Sequence, residues 1–221
     1  SALVINIGTL NSRTVESMIK SGKKANELNI PVVLDPVGAG ASRFRTDTAF
    51  RLLDEIKFAV IRGNMSEIKA VGKVNTSKSR GVDAGVSDSI TERNVNEIAK
   101  YVETLSEKLN AVVAVTGAID IISNGAKSYA VRNGHPAMGK ISGTGCMLTS
   151  VIGAYCGANK NNIIDAAAAA VCAMGLCGEL AYKKMIKNDD GTSLLRSYFI
   201  DYMSKIDSEM LNKGAKIEII K

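Results

Sequence analysis

The run Gly139-Lys140-Ile141-Ser142-Gly143-Thr144-Gly145-Cys146 is the stretch of this chain best suited to holding an anion. Two glycines one residue apart let the backbone turn tightly and approach a ligand with no Cβ in the way. The apolar, small-residue stretch from Met147 to Ala154 reads as a buried helix. Its N-terminus offers unpaired N–H groups and a positive dipole end. Gly143, Thr144, Gly145 and Cys146 would then form a cradle for a phosphate or oxyanion. A lone G-x-G is more often a plain helix start, so the residues that share its rim must decide.

Four other positions bear on that rim. Asp35, Arg62 with Asn64, and Thr116-Gly117 each stand at the end of an apolar strand-like run, as does Gly8. Taken singly, Asp35 before Pro36 is a turn residue, Arg62 a solvated charge, Asn64 a cap and Thr116-Gly117 a loop. Taken together on one edge of a sheet, beside the glycine cradle, they suit phosphoryl transfer. That chemistry needs donors and cations on the phosphates, carboxylates for Mg²⁺ and an anion cradle near the attacking oxygen. Asp35 and Glu67 could hold Mg²⁺, which is commonly bound by one or two carboxylates plus phosphates and water. Arg62 offers a planar fork to phosphate. Two familiar nucleotide motifs fail on spacing. Gly125-Ala126-Lys127-Ser128 lacks the Gly-Lys pair of a P-loop, and the third glycine of a dinucleotide fingerprint would fall on Leu148.

The elements that must position these groups alternate strand with helix. Strands are expected at Ala2–Ile7, Pro31–Leu34, Phe58–Ile61, Ala111–Val115 and, at the end, Ala215–Ile220. Helices are expected from Ser12, from a cap at Thr46, from a cap at Ser66, and from Thr91 to Leu109. Ile119–Ser123 and Lys127–Val131, joined through Asn124-Gly125, form a hairpin pattern. Three helices follow, over 146–157, 165–187 and 193–212, and 72–90 reads as a surface loop. Strands this uniformly apolar have no wet face. The expected fold is α/β, a mostly parallel sheet with helices on both sides in three α/β/α layers, as one domain over 1–221.

Composition narrows the partners. Of 221 residues 46% are hydrophobic, enough for one sizeable core. Net charge is +6 without a dense basic tract, aromatics are 5% and Trp is absent, which disfavours a nucleic-acid face. The longest apolar stretch, Ala166–Leu180, is interrupted by Gly175, Gly178 and Glu179 and reads as a buried helix rather than a membrane span. Cys146, Cys156, Cys172 and Cys177 lack zinc-site spacing, and a reducing cytoplasm is expected. The single histidine, His135, sits in a turn and leaves no histidine-based triad or metal site. With no leader in view, the sequon Asn75-Thr76-Ser77 is expected to be coincidental.

Four ordered motifs then carry a resemblance. They are Asn6-Ile7-Gly8-Thr9-Leu10, Val33-Leu34-Asp35-Pro36-Val37-Gly38-Ala39-Gly40-Ala41, Arg62-Gly63-Asn64-Met65-Ser66-Glu67-Ile68 and Ser142-Gly143-Thr144-Gly145-Cys146. From Ile5 to the last helix the chain resembles the hydroxyethylthiazole kinases of thiamine salvage, which are ribokinase-like. The resemblance implies phosphorylation of the alcohol of 5-(2-hydroxyethyl)-4-methylthiazole by ATP. It implies ATP contacts from Arg62 and Thr116, Mg²⁺ at Asp35 and Glu67, and a thiazole contact from Gly143. Cys146 would stand where most ribokinase relatives have an aspartate base, either as a thiol base or as a small residue fitting the anion hole. A cytoplasmic homotrimer with sites between subunits is implied too. So is an N-terminal segment, of a strand–helix–strand unit or more, that precedes Ser1 in the family and carries part of the thiazole pocket. Other readings are a kinase of another vitamin-like alcohol (hydroxymethylpyrimidine or pyridoxal) and a nucleotide-binding protein without turnover.

Overall fold

A computed structural model describes residues 1–73 and 87–220. Its centre is a seven-stranded sheet whose strands lie side by side in chain order. These are β1 (Leu3–Asn6), β2 (Val32–Asp35), β3 (Val60–Asn64), β4 (Val112–Thr116), β5 (Asp120–Ser123), β6 (Ser128–Val131) and β7 (Ile217–Ile219). The first four are parallel, and β5, β6 and β7 each pair antiparallel with the preceding strand. The sheet is therefore mixed, although β6 again runs with the first four. The Asn124-Gly125 hairpin forms as expected, with Gly125 at φ +85°, the left-handed region its turn requires.

Parallel neighbours need crossovers of one hand, which puts the connecting helices on one face. Those are α1 (Ser12–Glu27), α2 (Arg43–Glu55), α3 (Met65–Gly72) and α4 (Val95–Leu109). They pack with Ile5, Leu34, Ile61, Val113 and Ile121. The pleat sends Val33, Val60, Val112, Ala114 and Ile122 to the other face. That face is covered chiefly by α5 (Thr144–Ala158), α6 (Ile163–Lys187) and α7 (Thr192–Met203), with α8 (Ser208–Gly214) packed on α6. The three α/β/α layers follow from strands that are apolar on both sides.

Several boundaries differ from the sequence reading, each for a local reason. Ser42, not Thr46, caps α2, and the Thr46 hydroxyl instead bonds the Ser42 carbonyl inside the first turn. Asn64, not Ser66, caps α3. Thr91 begins a turn bonded to Asn94, and α4 starts only at Val95. The helix expected over 193–212 is two helices, because Asp207 caps α8 by accepting from the Met210 N–H. By length and composition α6 could cross a membrane, but 72% of its most apolar stretch is buried inside the protein. The sequon at Asn75 and most of the expected 72–90 loop lie outside the described residues.

Candidate active site

The four parallel strands end on one rim, with Asn6 in register with Asp35 and Asn64 in register with Thr116. Asp35 closes β2 and is fully buried. Its Oδ2 accepts from Asn6 Nδ2 at 3.0 Å and from the Thr149 hydroxyl at 2.7 Å. Arg62 Nη1 stands 3.8 Å from the same oxygen. Burial raises the Asp35 pKa, because the Thr149 hydroxyl and the Arg62 charge offset only part of the desolvation. Oδ1 of Asp35 and Nε of Arg62 are buried with no hydrogen-bond partner among the described residues. Such groups are costly unless something else meets them.

Arg62 is a strand residue, not the residue after a strand, and it is buried. Its Nη2 donates to the Thr116 hydroxyl at 2.7 Å, so two residues predicted to serve ATP are fastened to each other. Glu67 takes part in a capping box. Asn64 Oδ1 accepts from the Glu67 N–H, and Glu67 Oε2 accepts from the Asn64 N–H, each at 2.9 Å. Its other oxygen, Oε1, accepts from the Gly38 N–H at 2.8 Å. The carboxylate thus joins α3 to the loop after Asp35.

The glycine cradle opens α5. Gly143 is the N-cap residue, at φ +88°, and makes no side-chain cap. The N–H groups of the first turn, at Thr144, Gly145 and Cys146, therefore have no side-chain cap. A Cβ on Gly145 would lie 2.8 Å from Arg62 Nη1, so the guanidinium rests directly against the cradle. Cys146 is exposed, in contrast to the buried Cys156, Cys172 and Cys177.

A cleft of about 450 Å³ adjoins this cluster, with Arg62, Thr116, Thr144 and Gly145 in its lining. Asp35, Glu67, Gly143 and Cys146 are not part of that lining. Sequence reasoning missed Asp120, which also lines the cleft. As the first residue of antiparallel β5, it starts on the rim where β4 ends. Its Oδ1 accepts from the Gly117 N–H at 2.9 Å, and burial pushes its pKa up to about 7 against that bond and the Arg62 charge. Thr149 was missed as well. Its only sequence signal is its place one turn after Gly145. A wider, more open groove at the opposite ends of the strands holds none of the predicted residues. Among the described residues no group of three His, Cys, Asp or Glu side chains could hold a metal by itself.

The profile of the hydroxyethylthiazole kinase family matches residues 1–209. The chain belongs to the hydroxyethylthiazole kinase family. It is 50% identical over 216 residues to the hydroxyethylthiazole kinase of Clostridium acetobutylicum, covering 98% of this chain and 78% of that protein. It is 50% identical over 221 residues to the one from Clostridium beijerinckii, covering 100% of this chain and 78% of the relative. Among solved structures, the hydroxyethylthiazole kinase protein of Pyrococcus horikoshii OT3 superposes with a TM-score of 0.82 at 33% identity, over 100% of this chain and 77% of its own. Hydroxyethylthiazole kinase family membership makes this chain a transferase. The family's activity is phosphorylation of the thiazole alcohol, and its fold is the ribokinase-like one expected from the motifs.

Proposed function

We propose that the chain carries out this phosphorylation with ATP bound in the 450 Å³ cleft and with its triphosphate running to the α5 cradle. The observation that carries the reading is the Arg62 guanidinium, held by Thr116 at 2.7 Å and pressed against Gly145. A fork fixed in that way loses little freedom when it meets a phosphate, and it meets it beside unpaired N–H groups.

The thiazole alcohol binds over Gly143, with its hydroxyl near Cys146. The hydroxyl oxygen bonds to the γ-phosphorus as the bond to the β–γ bridging oxygen breaks. The hydroxyl proton leaves to the Cys146 thiolate. Thr144, Gly145 and Cys146 N–H groups take up the charge that grows on the transferring oxygens.

The donor set suits Mg²⁺. Asp35 has a buried oxygen without a hydrogen-bond partner among the described residues, and Glu67 has spare lone pairs beyond its two N–H donors. Two carboxylates with phosphate and water match the way this ion is usually held. When bound, it would neutralise charge on the phosphate oxygens. Residues 1–221 act as one kinase domain in a cytoplasmic homotrimer, with the thiazole pocket shared between subunits.

A coupled assay with Mg·ATP and a panel of the thiazole alcohol, hydroxymethylpyrimidine and pyridoxal tests the activity, and light scattering tests the trimer. Turnover is expected with the thiazole alcohol. Tight ATP binding with no transfer to any alcohol would replace the reading with that of a nucleotide-binding protein.

A further inference from the structure

One wall of the cleft, around residues 133–139, is seated on a single stripe of α6. Cys172, Gly175, Glu179 and Tyr182 follow at intervals of three, four and three residues, which places them on one helix face. The Cys172 thiol donates to Asn133 Oδ1 at 3.0 Å. At Gly175 a Cβ would fall 2.5 Å from the Asn133 carbonyl oxygen, so the loop backbone lies on the helix itself. Beside the stripe, Gly178 leaves the space that Met138 fills. Tyr182 stacks on His135 with ring centroids 3.5 Å apart.

Glu179 is the charged member of this stripe and is buried. Its Oε1 accepts from the Gly134 N–H at 3.0 Å and from Asn133 Nδ2 at 3.2 Å. Its Oε2 accepts from the Lys216 ammonium at 2.7 Å. The Lys216 N–H, just before β7, donates in turn to Asn133 Oδ1 at 2.7 Å. Burial alone would raise the Glu179 pKa, but Lys216 and the Gly134 and Asn133 donors outweigh it and hold the group below its ordinary value. A buried carboxylate with every donor in place orders its surroundings, and removing it leaves those donors unmet. Asn133 and Gly134 both line the cleft.

We propose that Glu179 is a positioning residue for the nucleotide: through Asn133 and Gly134 it fixes the wall that sets the width of the cleft, without touching the reacting atoms. This rests on ATP occupying that cleft.

The test is steady-state kinetics, with ATP and the thiazole alcohol varied separately, on Glu179→Ala, Glu179→Gln and Lys216→Met. Glu179→Ala is expected to raise KM for ATP about tenfold or more, since displacements of an ångström are enough for such losses. kcat at saturating ATP and KM for the alcohol should stay near wild type. Glu179→Gln keeps an oxygen for the Gly134 N–H and should recover most of the loss, with Lys216→Met in between. A Glu179→Ala protein changed only in its urea midpoint, with both KM values as wild type, overturns the proposal. If Glu179→Ala does not fold, an unmoved KM for ATP in Lys216→Met does the same. Arg62→Ala is measured in parallel. If it raises KM for ATP while the Glu179 and Lys216 variants do not, the positioning role alone fails. If all are unmoved, the assignment of the cleft to ATP fails with it.

Discussion

Arg62 on β3 donates to Thr116 on β4 at 2.7 Å, and the same guanidinium lies against Gly145 at the start of α5. One side chain therefore links two strand ends to the glycine-rich start of α5. It also stands 3.8 Å from the buried Asp35 carboxylate.

Arg62→Ala removes the proposed phosphate fork and the cation 3.8 Å from the buried Asp35 carboxylate. KM for ATP is expected to rise at least about tenfold, with a stability loss on the order of 2 kcal/mol from the unmet partners. Arg62→Lys should restore part of the stability but little of the ATP affinity, because an ammonium has no planar fork. Isothermal titration with a non-hydrolysable ATP analogue, beside urea unfolding, reads both effects. Unchanged ATP affinity in Arg62→Ala would remove the residue from the phosphate site.

Gly145→Ala places a Cβ 2.8 Å from Arg62 Nη1 and 3.2 Å from Nη2. The backbone conformation there is helical, so the fold should tolerate the change while the guanidinium is pushed off the cradle. The expected result is a higher KM for ATP with a melting temperature near wild type. Gly143→Ala differs. It forces a left-handed φ on alanine and should cost about 1 kcal/mol or more in thermal unfolding.

Glu67→Gln gives the Gly38 and Asn64 N–H groups one oxygen where they now have two. Loss of half the capping box should lower stability by about 1 kcal/mol. If Glu67 also holds Mg²⁺, the Mg²⁺ concentration for half-maximal rate rises several-fold. A Mg²⁺ titration that superposes on wild type would leave Glu67 as a cap alone.

Asp120 carries a pH-dependent cost. Its pKa is 3.8 in an unstructured chain and about 7 in the fold, chiefly from burial. Between those values the unfolded chain releases its proton while the folded protein keeps it, so rising pH favours unfolding. The cost is absent below the lower value and complete above the upper one. Asp120→Asn keeps an oxygen for the Gly117 N–H and loses the titration. It should be more stable than wild type near pH 8 by on the order of 2 kcal/mol, with the difference vanishing toward pH 4. Urea unfolding across that range checks this, and a pH-independent difference contradicts it.

Cys146→Ser replaces a thiol with a hydroxyl that does not ionise in the working range. With the thiolate as base, kcat should fall at least about tenfold while KM for ATP holds. The limb of the pH–rate profile that reports the base should also move. An unaltered profile would mean that Cys146 only fits the anion hole and that charge stabilisation carries the rate.

Strands, hairpin and most helices were legible because their signals are local. Continuous apolar runs, period-3.6 patterns, Asn124-Gly125 and the small-residue run after Cys146 each act within a few residues of chain. The rim itself was legible once parallel order was assumed, since parallel strands with crossovers of one hand bring Asp35, Arg62 and Thr116 to the same edge. Cap positions were less so. Thr46 and Ser66 are good capping types, yet Ser42 and Asn64 took the role because the chain reached helical geometry one turn or two residues earlier.

What the sequence determined alone was therefore the layer order, the approximate places of the strands and the residue types able to handle phosphate. Tertiary structure decided which of those side chains meet. Thr149 reaches Asp35 across 114 positions, Asn133 meets Glu179 across 46, and Asp120 comes to the rim only because β5 turns back along β4. The reason is that a buried polar group takes whatever partner arrives from the opposite layer, and no pattern with a range of four residues encodes that arrival.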